Sequence, residues 1–131
     1  MADAKDRFTR GMATRRSVLG ERYVDAAVAN TDPFTADFQE LITESAWGNV
    51  WSRDTISKRE RSMLTIALLA ALGHHDEVAM HVRATRNTGA SMDDIKEALM
   101  HVAIYAGVPA ANHAFKIAKA VYAEMQDEKA G

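Results

Sequence analysis

The sequence predicts an all-α protein, a single helical domain of about six helices covering residues 1–131. Three observations carry that expectation. Runs of β-branched and aromatic residues with period two are missing. Apolar residues recur instead at three- and four-residue spacing over long stretches. Only two prolines occur, Pro33 and Pro109, and both suit the first turn of a helix.

From the N-terminus, a polar, amphipathic stretch of about Ala4 to Asn30 reads as helical with a break at Gly20. Asp32 and Pro33 then open a helix as N-cap and first residue, with Phe34, Phe38, Leu41, Ile42 and Ala46 on one stripe. Gly48 and the segment NVWSRDTI read as a connection. Ser57 and Glu60 match a capping box ahead of MLTIALLAAL. That helix is apolar nearly all round, so it is expected at the buried centre of the fold.

Gly73 ends it. A further helix covers about His74 to Thr88 and closes on Gly89 as a C-cap. Ser91 starts the next, with Ile95, Ala98, Leu99 and Val102 turned inward. Gly107-Val108-Pro109 punctuates, and a last helix runs from Pro109 to about Gln126, fraying beyond it.

Bulk properties narrow the function. A chain of 131 residues is one domain's length, large enough for a substantial core. Net charge is −2 and the pI about 6.2, so nothing points to nucleic acid or a membrane surface as partner. The absence of cysteine removes disulfides, thiolate nucleophiles and cysteine-held metals. The longest apolar stretch, Met63 to Leu72, is far short of the ~20 residues that span a bilayer. Asp3 and Asp6 sit where a transit peptide avoids acids, and the expected location is the cytoplasm.

One constellation stands out as candidate chemistry. On a helix, His74, Glu77 and His81 fall at i, i+3 and i+7, within about 60° of one another. Asp76, Arg83, Arg86 and Asn87 take the opposite, solvated side. Two imidazoles and a carboxylate on an inward-tending face suit acid–base chemistry near neutral pH. The same spacing fits residues satisfying one another at a helix edge or subunit contact, or a metal site, and spacing alone does not choose. His101 and Tyr105 flank the next apolar stripe, where covering a helix boundary is the plainer role. Trp47 and Trp51 suit a core or a pocket wall, and on composition alone Arg53 and Arg61 read as surface residues.

Several phrases together resemble the carboxymuconolactone decarboxylase family, in particular its protocatechuate-pathway branch. They are AWGNVWSRD, RSMLTIALLAALG, HVRA, NTGAS and YAGVPAANHAF, and the likeness runs from LGERYVDAAVAN to the final helix. The wider superfamily includes alkylhydroperoxidase-like proteins with a Cys-x-x-Cys-x-x-x-His motif. Its histidine falls on His81 here, and its cysteines fall on His74 and Glu77. Dithiol peroxide reduction is thereby excluded. The upstream glutamate of that branch lands on Ser62, so its role is not carried over.

The resemblance implies an alkylhydroperoxidase-like helical bundle, oligomeric and most readily hexameric, acting on a small lactone. The implied reaction decarboxylates 4-carboxymuconolactone to the enol-lactone of 3-oxoadipate. The alternatives are a related lactone decarboxylase or isomerase of different specificity, or a non-catalytic binding member of the same fold. On this reading His81 delivers the proton or donates to the oxyanion, while Glu77 sets its charge and tautomer. His74 assists as a donor, Arg61 clamps a carboxylate, and Trp51 and Tyr105 wall the pocket. No metal or other cofactor is expected, because the lactone itself absorbs the electrons that departing CO2 leaves.

Overall fold

The computed structural model describes residues 4–130, which leaves the sequence reading of Asp3 outside the described residues. Among those residues every regular element is helical: seven α-helices and one π-helix. They are α1 (Ala4–Leu19), α2 (Glu21–Ala29), α3 (Ala36–Ile42), the π-helix (Thr43–Trp51), α4 (Lys58–Leu72), α5 (His75–Thr88), α6 (Met92–Tyr105) and α7 (Val108–Ala130). The chain divides into two compact units, one ending at Ser57 and the other starting at Lys58.

In the first unit α1 packs along the π-helix, α2 folds back on α1, and α3 runs straight into the π-helix. Two glycines set the close crossing of α1 and the π-helix. A Cβ on Gly11 would overlap the Thr43 carbonyl oxygen, and one on Gly48 would lie 2.5 Å from the Arg7 carbonyl oxygen. Polar groups then stitch the crossing: Arg10 Nε donates to the Gly48 carbonyl at 3.1 Å, and the Thr14 and Ser52 hydroxyls meet at 2.7 Å. Val18, Val24, Trp47 and Trp51 are the buried apolar residues, and the two indoles lie 5.1 Å apart, tilted by 33°.

The break expected at Gly20 separates α1 from α2. Two other expectations fail here. The helix opened by Asp32 and Pro33 starts three residues late, because Asp32 Oδ1 accepts from the backbone N–H groups of Phe34 and Thr35, both at 3.0 Å, and closes a turn first. Its apolar stripe is not buried, with Phe34 93% and Phe38 58% exposed. The connection expected around Gly48 is instead a π-helix passing through that glycine.

The second unit is a four-helix arrangement in which α5 and α6 each pack on both α4 and α7, and α4 also meets α7. Its core joins Ile66 and Ala70 of α4, Val78 and Val82 of α5, Ile95, Leu99 and Val102 of α6, and Ala111, Ala114, Ala118 and Val121 of α7. Three of the α7 residues are alanines at three- and four-residue spacing, which lets neighbouring helices approach closely. Leu99 and Ile66 are wholly buried, each stabilising by roughly 1.5–3 kcal/mol through burial.

Helix ends follow the sequence signals closely. Gly89 has φ 89°, the left-handed conformation that glycine adopts without strain, and its N–H returns to the Thr85 carbonyl. Ser91 and Asp94 form a complete capping box, Asp94 N to Ser91 Oγ at 3.0 Å and Ser91 N to Asp94 Oδ2 at 2.9 Å. The last helix starts at Val108 and continues to Ala130 instead of fraying at Gln126. On its outer edge Arg83 bonds Glu124 and Glu128 while Arg86 bonds Glu128, pairing α5 with α7 along the stretch expected to fray. α4 also departs from expectation: it buries one face, whereas Leu64, Leu68 and Leu72 are 56%, 63% and 69% exposed. No helix among the described residues is long and apolar enough to cross a membrane.

Candidate active site on helix α5

Helix α5 turns Val78, His81, Val82, Thr85 and Thr88 inward, so an imidazole sits within a row of apolar and hydroxyl side chains. His81 is 6% exposed. Burial disfavours the imidazolium and pushes the His81 pKa down to about 4, opposed in part by the nearby Glu77 carboxylate. At neutral pH His81 is therefore an uncharged imidazole, able to donate through one ring nitrogen and accept through the other.

Glu77 lies one turn earlier and is exposed, yet it acts electrostatically on His81. His74 is placed differently. It is the N-cap of α5 rather than part of its first turn, with φ −85° and ψ 76°, and it is exposed. Asp76, Arg86 and Asn87 are exposed and Arg83 half-buried, the solvated side that the helical spacing placed opposite.

Arg61 is only 9% exposed, against the surface position that composition alone assigned it. Beside it Ser62 is wholly buried, and its hydroxyl meets that of Thr88 at 2.7 Å, tying α4 to the last turn of α5. Tyr105 stands at the end of α6, 85% exposed, with the His101 ring parallel to it at 6.2 Å. Trp51 belongs to the first unit, where it is buried beside Trp47. Of the six residues singled out from sequence, His81 and Arg61 are buried within the second unit, His74, Glu77 and Tyr105 face outward, and Trp51 lies in the first.

Two features were not anticipated. His75 and His113, on α5 and α7, stack face to face with ring centroids 3.9 Å apart and planes within 15°. The His74-His75 pair was the available signal, but helical spacing drew attention to the first of the two. A groove of about 540 Å³ also opens between α6 and α7, lined by Ile95, Leu99, Phe115, Ala118, Lys119 and Tyr122 among others. None of the six candidate site residues lines it. Burial pushes the Tyr122 phenol up, with Thr85 opposing. Among the described residues no group of three or more histidine, aspartate or glutamate side chains is arranged to hold a metal ion.

The chemistry open to α5 is proton transfer or hydrogen-bond donation by a desolvated imidazole under the influence of one carboxylate. Comparison with known proteins gives that chemistry a context. The chain is 42% identical over 121 residues to a 4-carboxymuconolactone decarboxylase of Acinetobacter baylyi, covering 92% of this chain and 90% of that one. It is 38% identical over 121 residues to a nitrosuccinic acid decarboxylase of Metarhizium robertsii, covering 92% of this chain and 85% of that one. A 47-residue match, 43% identical, links it to a 4-carboxymuconolactone decarboxylase of Pseudomonas putida, covering 36% of this chain and 98% of that sequence. Residues 36–120 match the sequence profile of the carboxymuconolactone decarboxylase family. This chain belongs to the carboxymuconolactone decarboxylase family.

Proposed function

We propose that the protein decarboxylates 4-carboxymuconolactone to the enol-lactone of 3-oxoadipate, as a carboxy-lyase that needs no cofactor. The observation that carries this reading is the 42% identity, over nine-tenths of both chains, to the Acinetobacter baylyi decarboxylase. The carboxyl group leaves from a carbon conjugated through the ring alkene to the lactone carbonyl. Its electron pair moves into the ring and onto the carbonyl oxygen as a dienolate, and a proton then adds to the ring carbon beside that carbonyl. CO2 and the enol-lactone balance the substrate.

His81 is the group we assign to the proton, with Glu77 beside it. Its low pKa in the unliganded chain has a physical consequence. A substrate bearing two carboxylates brings negative charge next to a buried imidazole and raises its proton affinity, so binding and proton uptake are coupled. The imidazolium then returns that proton to carbon. A positioned general acid of this kind contributes ~10²–10⁴-fold. Arg61 serves as a carboxylate clamp, His74 as an additional donor, and Tyr105 as a pocket wall.

The outward position of His74, Glu77 and Tyr105 fits a site completed on assembly. Leu64, Leu68 and Leu72, at four-residue spacing on the outer face of α4, leave a row of apolar side chains open in the single chain. We read the active form as a homo-oligomer, a hexamer as the first expectation, working in the cytoplasm with residues 1–131 as one functional domain.

The direct test mixes purified protein with freshly generated 4-carboxymuconolactone and follows CO2 release and enol-lactone formation. Rapid, stoichiometric turnover that falls on replacing His81 is the expected result. A folded protein that releases no CO2 sinks the reading. A second reading has its own support in the 38% identity to the nitrosuccinic acid decarboxylase. A nitro group α to the leaving carboxylate would accept the electron pair as the lactone does. Comparing kcat/KM on the lactone and on nitrosuccinate separates the two.

A further inference from the structure

We propose that Arg15, buried in the first unit, is a carboxylate-binding residue whose ligand is one carboxylate of a small dicarboxylic acid. The class of acid rests on the decarboxylase reading; the site itself rests on the geometry of α1 and the π-helix.

Adjacent arginines on α1 meet opposite fates. Arg16 reaches out to Glu21 at 2.5 Å and Asp25 at 2.7 Å. Arg15 is 5% exposed and, among the described residues, has no carboxylate partner. Its one hydrogen bond runs from Nη1 to the Thr43 hydroxyl oxygen at 3.3 Å, and its Nε is shielded from water without an acceptor. Thr43 offers a lone pair but no charge, since its own hydroxyl hydrogen goes to the Gln39 carbonyl at 2.7 Å. Burial lowers the Arg15 pKa, with Tyr23 opposing.

A guanidinium held this way is costly, because a buried cation normally finds an anion or a full set of acceptors. The neighbouring Arg10 shows what a structural arginine does here, with its Nε on the Gly48 carbonyl. Arg15 instead keeps much of its planar fork unused, and that fork matches a carboxylate through two parallel N–H bonds. Its surroundings are built rather than accidental. Gly11, one turn earlier, brings α1 against the π-helix, and Thr43 is the first residue of that π-helix. Segments of π-helix are rare and are frequently found at functional sites.

The test uses the full-length protein and succinate as an unreactive dicarboxylate probe, at constant ionic strength with sodium chloride as control. Succinate should raise the Tm of the wild type and leave Arg15→Met unshifted, with Arg15→Lys between them. Arg15→Met itself should melt no lower than wild type, because it removes an uncompensated buried charge. Its KM for 4-carboxymuconolactone should rise about tenfold or more. Equal succinate stabilisation of wild type and Arg15→Met overturns the site, as does chloride acting as strongly as succinate. So does an Arg15→Met protein that melts lower and falls to smaller species, since the missing anion is then a side chain of a second copy. If Arg15→Met does not fold, Arg15→Gln gives the same readouts, and a failure of both to fold makes the arginine structural and ends the proposal. A wild type inert towards the lactone but stabilised by succinate through Arg15 sinks the decarboxylase reading and leaves this site standing.

Discussion

The Arg59 guanidinium meets the Asp94 carboxylate through two parallel N–H···O bonds of 2.8 Å each, fastening the first turn of α4 to the first turn of α6. Asp94 is at the same time the third residue of the α6 capping box. One carboxylate therefore serves a helix end and a helix pair together, and Arg59 with the Ser91 backbone and hydroxyl holds it far below the usual carboxylate range.

The sign of the resulting pH dependence follows. A carboxylate with a depressed folded pKa stabilises at neutral pH, and its contribution fades as pH falls through the ordinary range near ~3.9 and below. Asp94→Asn should lower the urea midpoint at pH 7, with the gap from wild type narrowing steadily towards pH 3. A gap independent of pH would mean that the ion pair contributes nothing. Ser91→Ala, which removes the hydroxyl of the cap and leaves the Arg59–Asp94 pair in place, should cost about 1 kcal/mol at pH 7.

His81 governs a different window. Its folded pKa of about 4 lies below the unfolded value near 6.5, so the unfolded chain takes up the proton first as acid is added. Stability is full above about pH 6.5 and falls by roughly 3 kcal/mol as pH drops towards 4. His81→Gln should abolish that slope in denaturant titrations. A slope that survives the substitution assigns it elsewhere.

The same residue is the first target for activity. His81→Ala should reduce kcat on the lactone by ~10²–10⁴-fold, and Glu77→Gln by a smaller factor that changes with pH. Circular dichroism should stay helical in both. Near-normal turnover in both folded variants refutes the assignment of the acid.

The α1–π-helix crossing makes a steric prediction. Gly11→Ala places a methyl group against the Thr43 carbonyl and within 2.8 Å of the Gly48 amide nitrogen, and both are backbone atoms that cannot swing aside. A loss of about 1–3 kcal/mol or more is expected. Thermal melts of Gly11→Ala and Gly48→Ala check it, and an unchanged Tm for both would mean the two helices separate at little cost.

Leu68 and Leu99 distinguish an assembly face from a core. Leu99→Ala, at a site with no exposure, should cost about 2–5 kcal/mol. Leu68→Asp, at a site 63% exposed in the single chain, should leave the helices intact and shift sizing towards smaller species. Unchanged sizing for Leu68→Asp, Leu64→Asp and Leu72→Asp would remove α4 from the interface.

Helix content was legible because its determinants are local. The break at Gly20, the cap at Gly89 and the box of Ser91 with Asp94 each depend on a few consecutive residues and their dihedral or hydrogen-bond preferences. The misplaced start at Pro33 has the same origin: an aspartate before a proline serves either as helix cap or as turn former, and Asp32 forms the turn. The π-helix was not legible, since a pattern read at 3.6 residues per turn assigns no register to a wider coil and Gly48 reads as a breaker.

The candidate site divides along the same line. Spacing by itself placed Glu77 and His81 on one face of α5, because helical periodicity dictates which side chains are neighbours. Burial is a different quantity, the sum of whatever other segments bring up, and only tertiary structure decided it. It shielded His81 and left Glu77 open; it shielded Arg15 and Arg61, left Arg16 half-buried and left Tyr105 open. Adjacent arginines at 15 and 16 are chemically identical in the sequence. The crossing at Gly11 and Gly48 separates them, since solvation energy belongs to the packed surroundings and not to the residue alone.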